Sequence, residues 1–274
     1  MIQASRMIET NLREAFYMKK IVLFVFVAIL SVFALIFLFH DKDYDISGED
    51  DTNITINDSN NQYDHIDKGS YDIPEKMIDV PVLCQYPKLP TGCEATAAAM
   101  ILQFYGSDMT AEEFASNWLA CDANFYSMGG VQYGPDPDEV FAGDPFSEYS
   151  YGCYATPIVS AINKNSSKYE AQKITNKSLE ILCDEYIDQG NPLLIWATMN
   201  MKPAKEGNSW YLQDGSKFTW TAGEHCLVLV GYNDDYYFLN DPQVGSTVAY
   251  KKEIVELRFE ELGSQAVCIS KIRR

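Results

Sequence analysis

The 274-residue sequence predicts an α+β fold behind a single apolar span. Three observations lead there. Nineteen residues, Ile21 to Phe39, are apolar apart from Ser31. After them, segments with helical periodicity and capping signals come first. Short runs of buried-strand character, joined by turn residues, come later. N-terminal helices packed on an antiparallel sheet is the arrangement this order implies.

The elements follow in chain order. Residues 1–20 form a short N-terminal arm. Ile21–Phe39 rises about 1.5 Å per residue, enough to cross a bilayer core of about 30 Å. It is longer than the ~7–15 apolar residues of a signal-peptide core, and it ends in FLFHDKD rather than a small-x-small cleavage site. We therefore expect an uncleaved signal anchor, with secretion after cleavage as the alternative. Arg6, Arg13, Lys19 and Lys20 precede the span, so the positive-inside rule keeps the arm in the cytoplasm and puts the body outside. The membrane lipid contacted by this helix is the first expected partner.

Residues 40–75 read as an acidic flexible stalk. Positions 41–75 hold eleven Asp/Glu and two Lys, half of the chain's net charge of −18. Such a segment buries too little apolar surface to offset its ordering entropy. The acidity also argues against nucleic acid as a partner.

The folded domain spans 76–274. IDVPVLCQ, ending at Gln85, reads as a short strand. Cys93–Tyr105 reads as a helix with Met100, Ile101 and Phe104 on one face and Gly106 as its stop. Thr110–Ala120 opens on a capping box, Thr110 to Glu113. The Gly-, Pro- and Tyr-rich 121–155 reads as a loop. Helices are expected at 155–163 and 178–189, then strands at 192–198, 225–232 and 236–240. A helix at 253–262 and a strand at 266–270 complete the pattern. Asn233–Asp235 makes a hairpin of the strands on either side of it.

The seven cysteines are an odd number without any CxxC pair, so at least one thiol is free unless a partner chain takes it, and an outside location permits disulfides without requiring them. Most read as small buried hydrophobes. Cys93 is different. Thr91-Gly92 places it at a helix N-terminus, where the dipole and free N–H groups favour a thiolate. Its base is His225, since His40 abuts the span and His65 lies in the stalk. Asp241 lies across the hairpin from His225 if the register carries no bulge, and is the expected orienter of the imidazole, with Asn240 a weaker substitute. The Cys93 N–H and the Gln85 amide are candidates for an oxyanion hole. Cys226 follows His225 on a strand and should face away from it, which argues against zinc held by Cys93, His225 and Cys226. Glu94 reads as a cap or a backbone hydrogen-bonding partner. The tryptophans read as core or cleft lining. No metal or cofactor is expected.

QYPKLPTGCEAT followed by GEHCLVLVGYNDDYYFLNDP resembles the C39-like family within the papain-like cysteine peptidases. The likeness runs from Val80 to about Ile269. It implies a papain-like fold, with Cys93 as nucleophile, His225 as base, Asp241 as orienter and Gln85 in the oxyanion hole. Glu224 departs from the family pattern, which has Gly before the His. The expectation is thus a membrane-anchored, extracytoplasmic cysteine peptidase acting on a peptide or cell-wall-derived substrate. The alternatives are an amidase or acyltransferase with the same site, or a catalytically silent binding module.

Overall fold

Order along the chain matches the α+β expectation, and the later half supplies most of the main sheet. The computed structural model describes residues 54–56 and 74–272, all within one compact unit. The span expected at 21–39 lies outside the described residues, as does the expected stalk apart from 54–56 and its last two residues. Among the described residues no helix is long and apolar enough to cross a membrane.

The chain runs β1 (Ile54–Ile56), β2 (Lys76–Met77), α1 (Cys93–Phe104), α2 (Ala111–Asn117), β3 (Cys121–Asp122), β4 (Tyr126–Met128), β5 (Val131–Tyr133) and β6 (Phe141–Ala142). It continues through α3 (Ala155–Asn165), β7 (Tyr169–Thr175), α4 (Leu179–Leu182) and β8 (Leu193–Thr198). Then come β9 (Lys205–Tyr211), β10 (Lys217–Ala222), β11 (Glu224–Tyr232), β12 (Tyr236–Asp241), β13 (Ser246–Lys251), α5 (Lys252–Glu261) and β14 (Gln265–Lys271). The main sheet has the order β1-β13-β12-β11-β8-β14-β7, with β2 added beside the end of β11. All its pairings are antiparallel. A four-stranded sheet, β10-β9-β5-β4, stands apart from it.

α1 is the central helix. Cys93 to Leu102 are all buried, against α2, β8 and β11. One apolar face was expected of it. Its CEATAAAMIL run instead has small side chains on every side, which lets the helix sit inside the core. Gly106, at φ +86°, ends it as expected. In α2 the capping box is present: Glu113 N–H donates to Thr110 Oγ1 at 3.1 Å, and Thr110 N–H to Glu113 Oε2 at 3.0 Å. This helix stops at Asn117, short of the expected Ala120. The helix expected at 178–189 is α4 followed by a wider π turn over Cys183–Ile187.

Some expectations need correction. IDVPVLCQ is not a strand. Ile78 N–H donates to Val230 O at 2.8 Å, after which Pro81 breaks any ladder because it has no N–H. The segment then runs toward the site, where Gln85 N–H donates to Pro242 O at 2.8 Å. The expected loop at 121–155 contains β3 to β6. The strands β7, β9, β10 and β13 are additions, because their polar or alternating sequences carry a weak burial signal.

One large core joins α1 to α5 with the main sheet. A smaller aromatic cluster under the second sheet gathers Trp210 and Trp220 with Phe125, Tyr151, Tyr154 and Phe218.

Candidate active site

The four residues singled out in the sequence line one cleft or stand directly behind it. Gln85, Cys93 and His225 line a cavity of about 530 Å³, together with Tyr151, Trp220 and Glu224. Asp241 is fully buried behind His225.

Cys93 is the first residue of α1, with Gly92 as N-cap. Its backbone N–H belongs to the first turn, whose donors have no intrahelical acceptor. Gly92 is needed here for space rather than for an unusual backbone angle. A Cβ on it would lie 2.8 Å from Leu89 Cβ and 3.3 Å from Pro145 Cβ.

His225 sits near the start of β11, paired with Ala197 of β8. Its Nε2 lies 2.7 Å from Asp241 Oδ1, and both side chains are buried. The hairpin contains a bulge between Leu229 and Gly231. Val228 therefore pairs with Asn240, and one step further puts Asp241 opposite Leu227. His225 and Asp241 are diagonal neighbours on one face rather than directly opposed, which corrects the bulge-free register. The diagonal is still within side-chain reach.

Asp241 also accepts the N–H groups of Gln243 at 2.8 Å and Val244 at 3.4 Å. Burial pushes its carboxyl up, but the His225 hydrogen bond and charge, with these N–H groups, outweigh that and hold it below its ordinary range. Asp241 is thus an anionic anchor. With Nε2 turned to it, Nδ1 is the ring nitrogen left for the cleft. Asn240 is engaged elsewhere. Its Nδ2 donates to Val80 O at 3.0 Å and its Oδ1 accepts from Thr247 at 2.6 Å.

Gln85 Nε2 donates one proton to Pro90 O at 2.9 Å. An amide nitrogen carries two protons, so a second remains for an oxyanion.

Two glutamates change the picture of the nucleophile. Cys93 Sγ donates to Glu94 Oε2 at 3.3 Å, and Cys153 N–H donates to Glu94 Oε1 at 2.6 Å. Glu224 is buried with Glu94, and Cys93 Sγ and one oxygen of each carboxyl lie within 4.8 Å of one another. Burial raises Glu94 to about 7, against the Cys153 N–H, its own N–H, the Cys93 thiol and the charge of His225. Burial and then Glu94 push Glu224 well above its ordinary value. Burial, Glu94 and Glu224 do the same to the Cys93 thiol, with the Cys226 N–H working the other way. Both Glu94 oxygens already face donors, so the cluster is one of shared protons, and we assign no metal to it. In the sequence the two are an acid directly after the cysteine and an acid directly before the histidine, a pattern that does not by itself show that they meet.

Trp196 is core, as expected, and its Nε1 donates to Cys153 O at 2.9 Å. Trp220 contributes to the cleft wall.

This geometry can be set beside known proteins. The profile of the Peptidase_C39 like family matches residues 77–267. The uncharacterized protein YvpB of Bacillus subtilis (strain 168) is 30% identical over 232 residues, covering 84% of this chain and 90% of that protein. A Bacillus anthracis protein classed as a C39-like peptidase has a crystal structure that superposes with a TM-score of 0.61 at 29% identity. That match covers 73% of this chain and 98% of that one. The match extends from β2 into β14 and takes in the cysteine, the histidine and the aspartate alike, so the chain belongs to the Peptidase_C39 like family.

Proposed function

We propose that this protein is a cysteine peptidase held at the outer face of a membrane by the 21–39 span. The observation that carries the chemistry is the His225–Asp241 pair at 2.7 Å, set in the same cleft as a helix-terminal cysteine. Asp241 fixes the imidazole so that Nδ1 can take the Cys93 proton. The thiolate then attacks a substrate carbonyl, and the Cys93 N–H and Gln85 Nε2 hold the resulting oxyanion. The imidazolium returns its proton to the leaving amine as the C–N bond breaks. A water molecule, giving a proton to His225, then hydrolyses the thioester and releases Cys93.

The purified full chain, incubated with a peptide library and with peptidoglycan fragments, tests this reading. Internal peptide-bond cleavage that disappears in Cys93→Ala supports a peptidase. Turnover confined to cell-wall fragments would move the assignment to an amidase, and turnover surviving Cys93→Ala would refute it. The anchoring half rests on the apolar span and the basic residues before it. External protease on intact cells should remove the 76–274 domain from a membrane-bound chain, and a protected domain would contradict the orientation.

A further inference from the structure

We propose that Glu94 is a further catalytic residue, a proton-controlled gate on the nucleophile. As the acid it donates a hydrogen bond to the Cys93 thiolate, and as the carboxylate it accepts the thiol proton and keeps Cys93 unreactive. The proposal concerns the site named above, and takes from that reading that Cys93 is the nucleophile and His225 its base.

The geometry is that of a gate. Glu94 is wholly buried and one residue from the nucleophile, with Oε2 at 3.3 Å from Sγ. Its other oxygen is pinned by Cys153 N–H at 2.6 Å, so the carboxyl cannot swing away from the sulfur. Gly152 keeps the space, since a Cβ there would lie 2.5 Å from Glu94 Oε1 and 3.1 Å from Glu224 Oε2. Two carboxyls this close do not both ionise readily, and burial with the charge of Glu94 outweighs the Trp196 hydrogen bond that favours the Glu224 carboxylate. Glu224 therefore keeps its proton and Glu94 is the member that titrates, at about 7.

The other titratable groups around Glu94 are few. His225 and Cys226 come from β11, and Cys153 and Tyr154 from the segment leading into α3. Cys121 of β3 lies further off. His225 is the base among them, and its charge favours the Glu94 carboxylate. The thiols and the phenol are neutral near pH 7, because burial raises each of them.

Protons balance in both states. Below the Glu94 transition the carboxyl proton is shared toward Sγ, and the thiol proton resides on His225. Above it the carboxyl proton has gone to solvent, and the thiol proton has returned from His225 to sulfur, directed at Oε2. Reactivity of Cys93 should thus fall as pH rises through about 7, opposite to an ordinary thiol.

Glu94→Gln tests this. Its Oε1 can still accept Cys153 N–H, and its Nε2 donates to Sγ at every pH, so the variant mimics the acid form. The measurement is the iodoacetamide alkylation rate of Cys93 in the full chain, followed by peptide mapping, with EDTA present. The ratio of variant to wild-type rate should be near unity at about pH 5.5 and reach at least about tenfold at about pH 8, the factor that one pKa unit on the thiol gives. Glu224→Gln should leave the wild-type fall in place. A ratio independent of pH overturns the proposal, as does a fall abolished by Glu224→Gln and retained in Glu94→Gln. If Glu94→Gln does not fold, the wild type decides. Its infrared spectrum should lose a protonated-carboxyl band in step with the falling alkylation rate, and a rate that only rises with pH contradicts the gate. Alkylation needs no substrate, so the result stands whether or not a peptide is cleaved, and failure of the peptidase reading would register separately as absent turnover.

Discussion

At the residue scale the candidate site holds side chains tied in place around the cleft and a buried pair of glutamates beside the cysteine. Asp241 is buried, anionic and bonded to His225, so it costs little to keep the imidazole aligned. Gln85 has its backbone and side chain both tied down, by Pro242 O and Pro90 O, and so offers its second amide proton from a fixed position. Gln85→Ala should lower kcat about 10²–10³-fold with little change in KM, as loss of one oxyanion donor does elsewhere. Steady-state kinetics on a cleaved peptide would check this, and a change confined to KM would place Gln85 in ground-state binding. The gathering of Gln85, Cys93 and His225 at one cleft, with Asp241 behind, was legible in the sequence because few chemistries besides nucleophilic catalysis call for those residue types in that order. The Glu94–Glu224 pair was not. An acid beside a cysteine is commonplace, and only the packing of β11 against α1 shows that both carboxyls are buried together.

At the element scale, α1 sets the position of the sulfur and the β11–β12 hairpin sets the base. Helix α1 can sit at the centre because its first turns are small residues, and the N-cap glycine admits Leu89 and Pro145 against its end. Gly92→Ala should cost about 1–3 kcal/mol, the range for overpacking a filled site, and should slow alkylation of Cys93 by displacing it. Urea unfolding and labelling rates would check both effects, and an unchanged protein would show that Leu89 yields freely. The sequence placed the hairpin turn and both strands nearly to the residue. It could not reveal the bulge at Val230, which lies where β2 runs alongside β11: a Cβ on Gly231 would meet Lys76 O at 2.4 Å. The β9–β10 hairpin was missed although Asp214-Gly215 is a turn signal, with Gly215 at φ +85°. Its flanking sequence, KEGNSWY, is too polar to suggest a strand, yet this sheet brings Trp220 to the cleft.

At the scale of the whole molecule, the buried acids tie stability to pH. Glu94 has a folded pKa raised from 4.5 to about 7, so the folded state binds more protons than the unfolded one between those values. Its contribution is full below pH ~4.5 and is lost as pH rises toward 7, a change of about 3 kcal/mol at 1.36 kcal/mol per unit. Asp241 acts in the opposite sense, since its carboxyl is held low and its contribution is lost only in stronger acid. Urea midpoints of the full chain should therefore decline from about pH 4.5 to 7, and Glu94→Gln should make that decline shallower, leaving the part that the raised Glu224 supplies in the same sense. An equal slope in wild type and variant would mean that Glu94 is ionised throughout.

The central claim is that a buried cysteine is activated by a histidine, and competition among the chain's own thiols tests it most directly. Cys84 and Cys121 are exposed, whereas Cys93 is buried, so accessibility alone would make those two react first. Iodoacetamide labelling of the full chain in mildly acid solution should instead modify Cys93 fastest, and His225→Ala should reduce it below the exposed pair. Labelling in order of exposure, or a Cys93 rate indifferent to His225→Ala, would contradict the account.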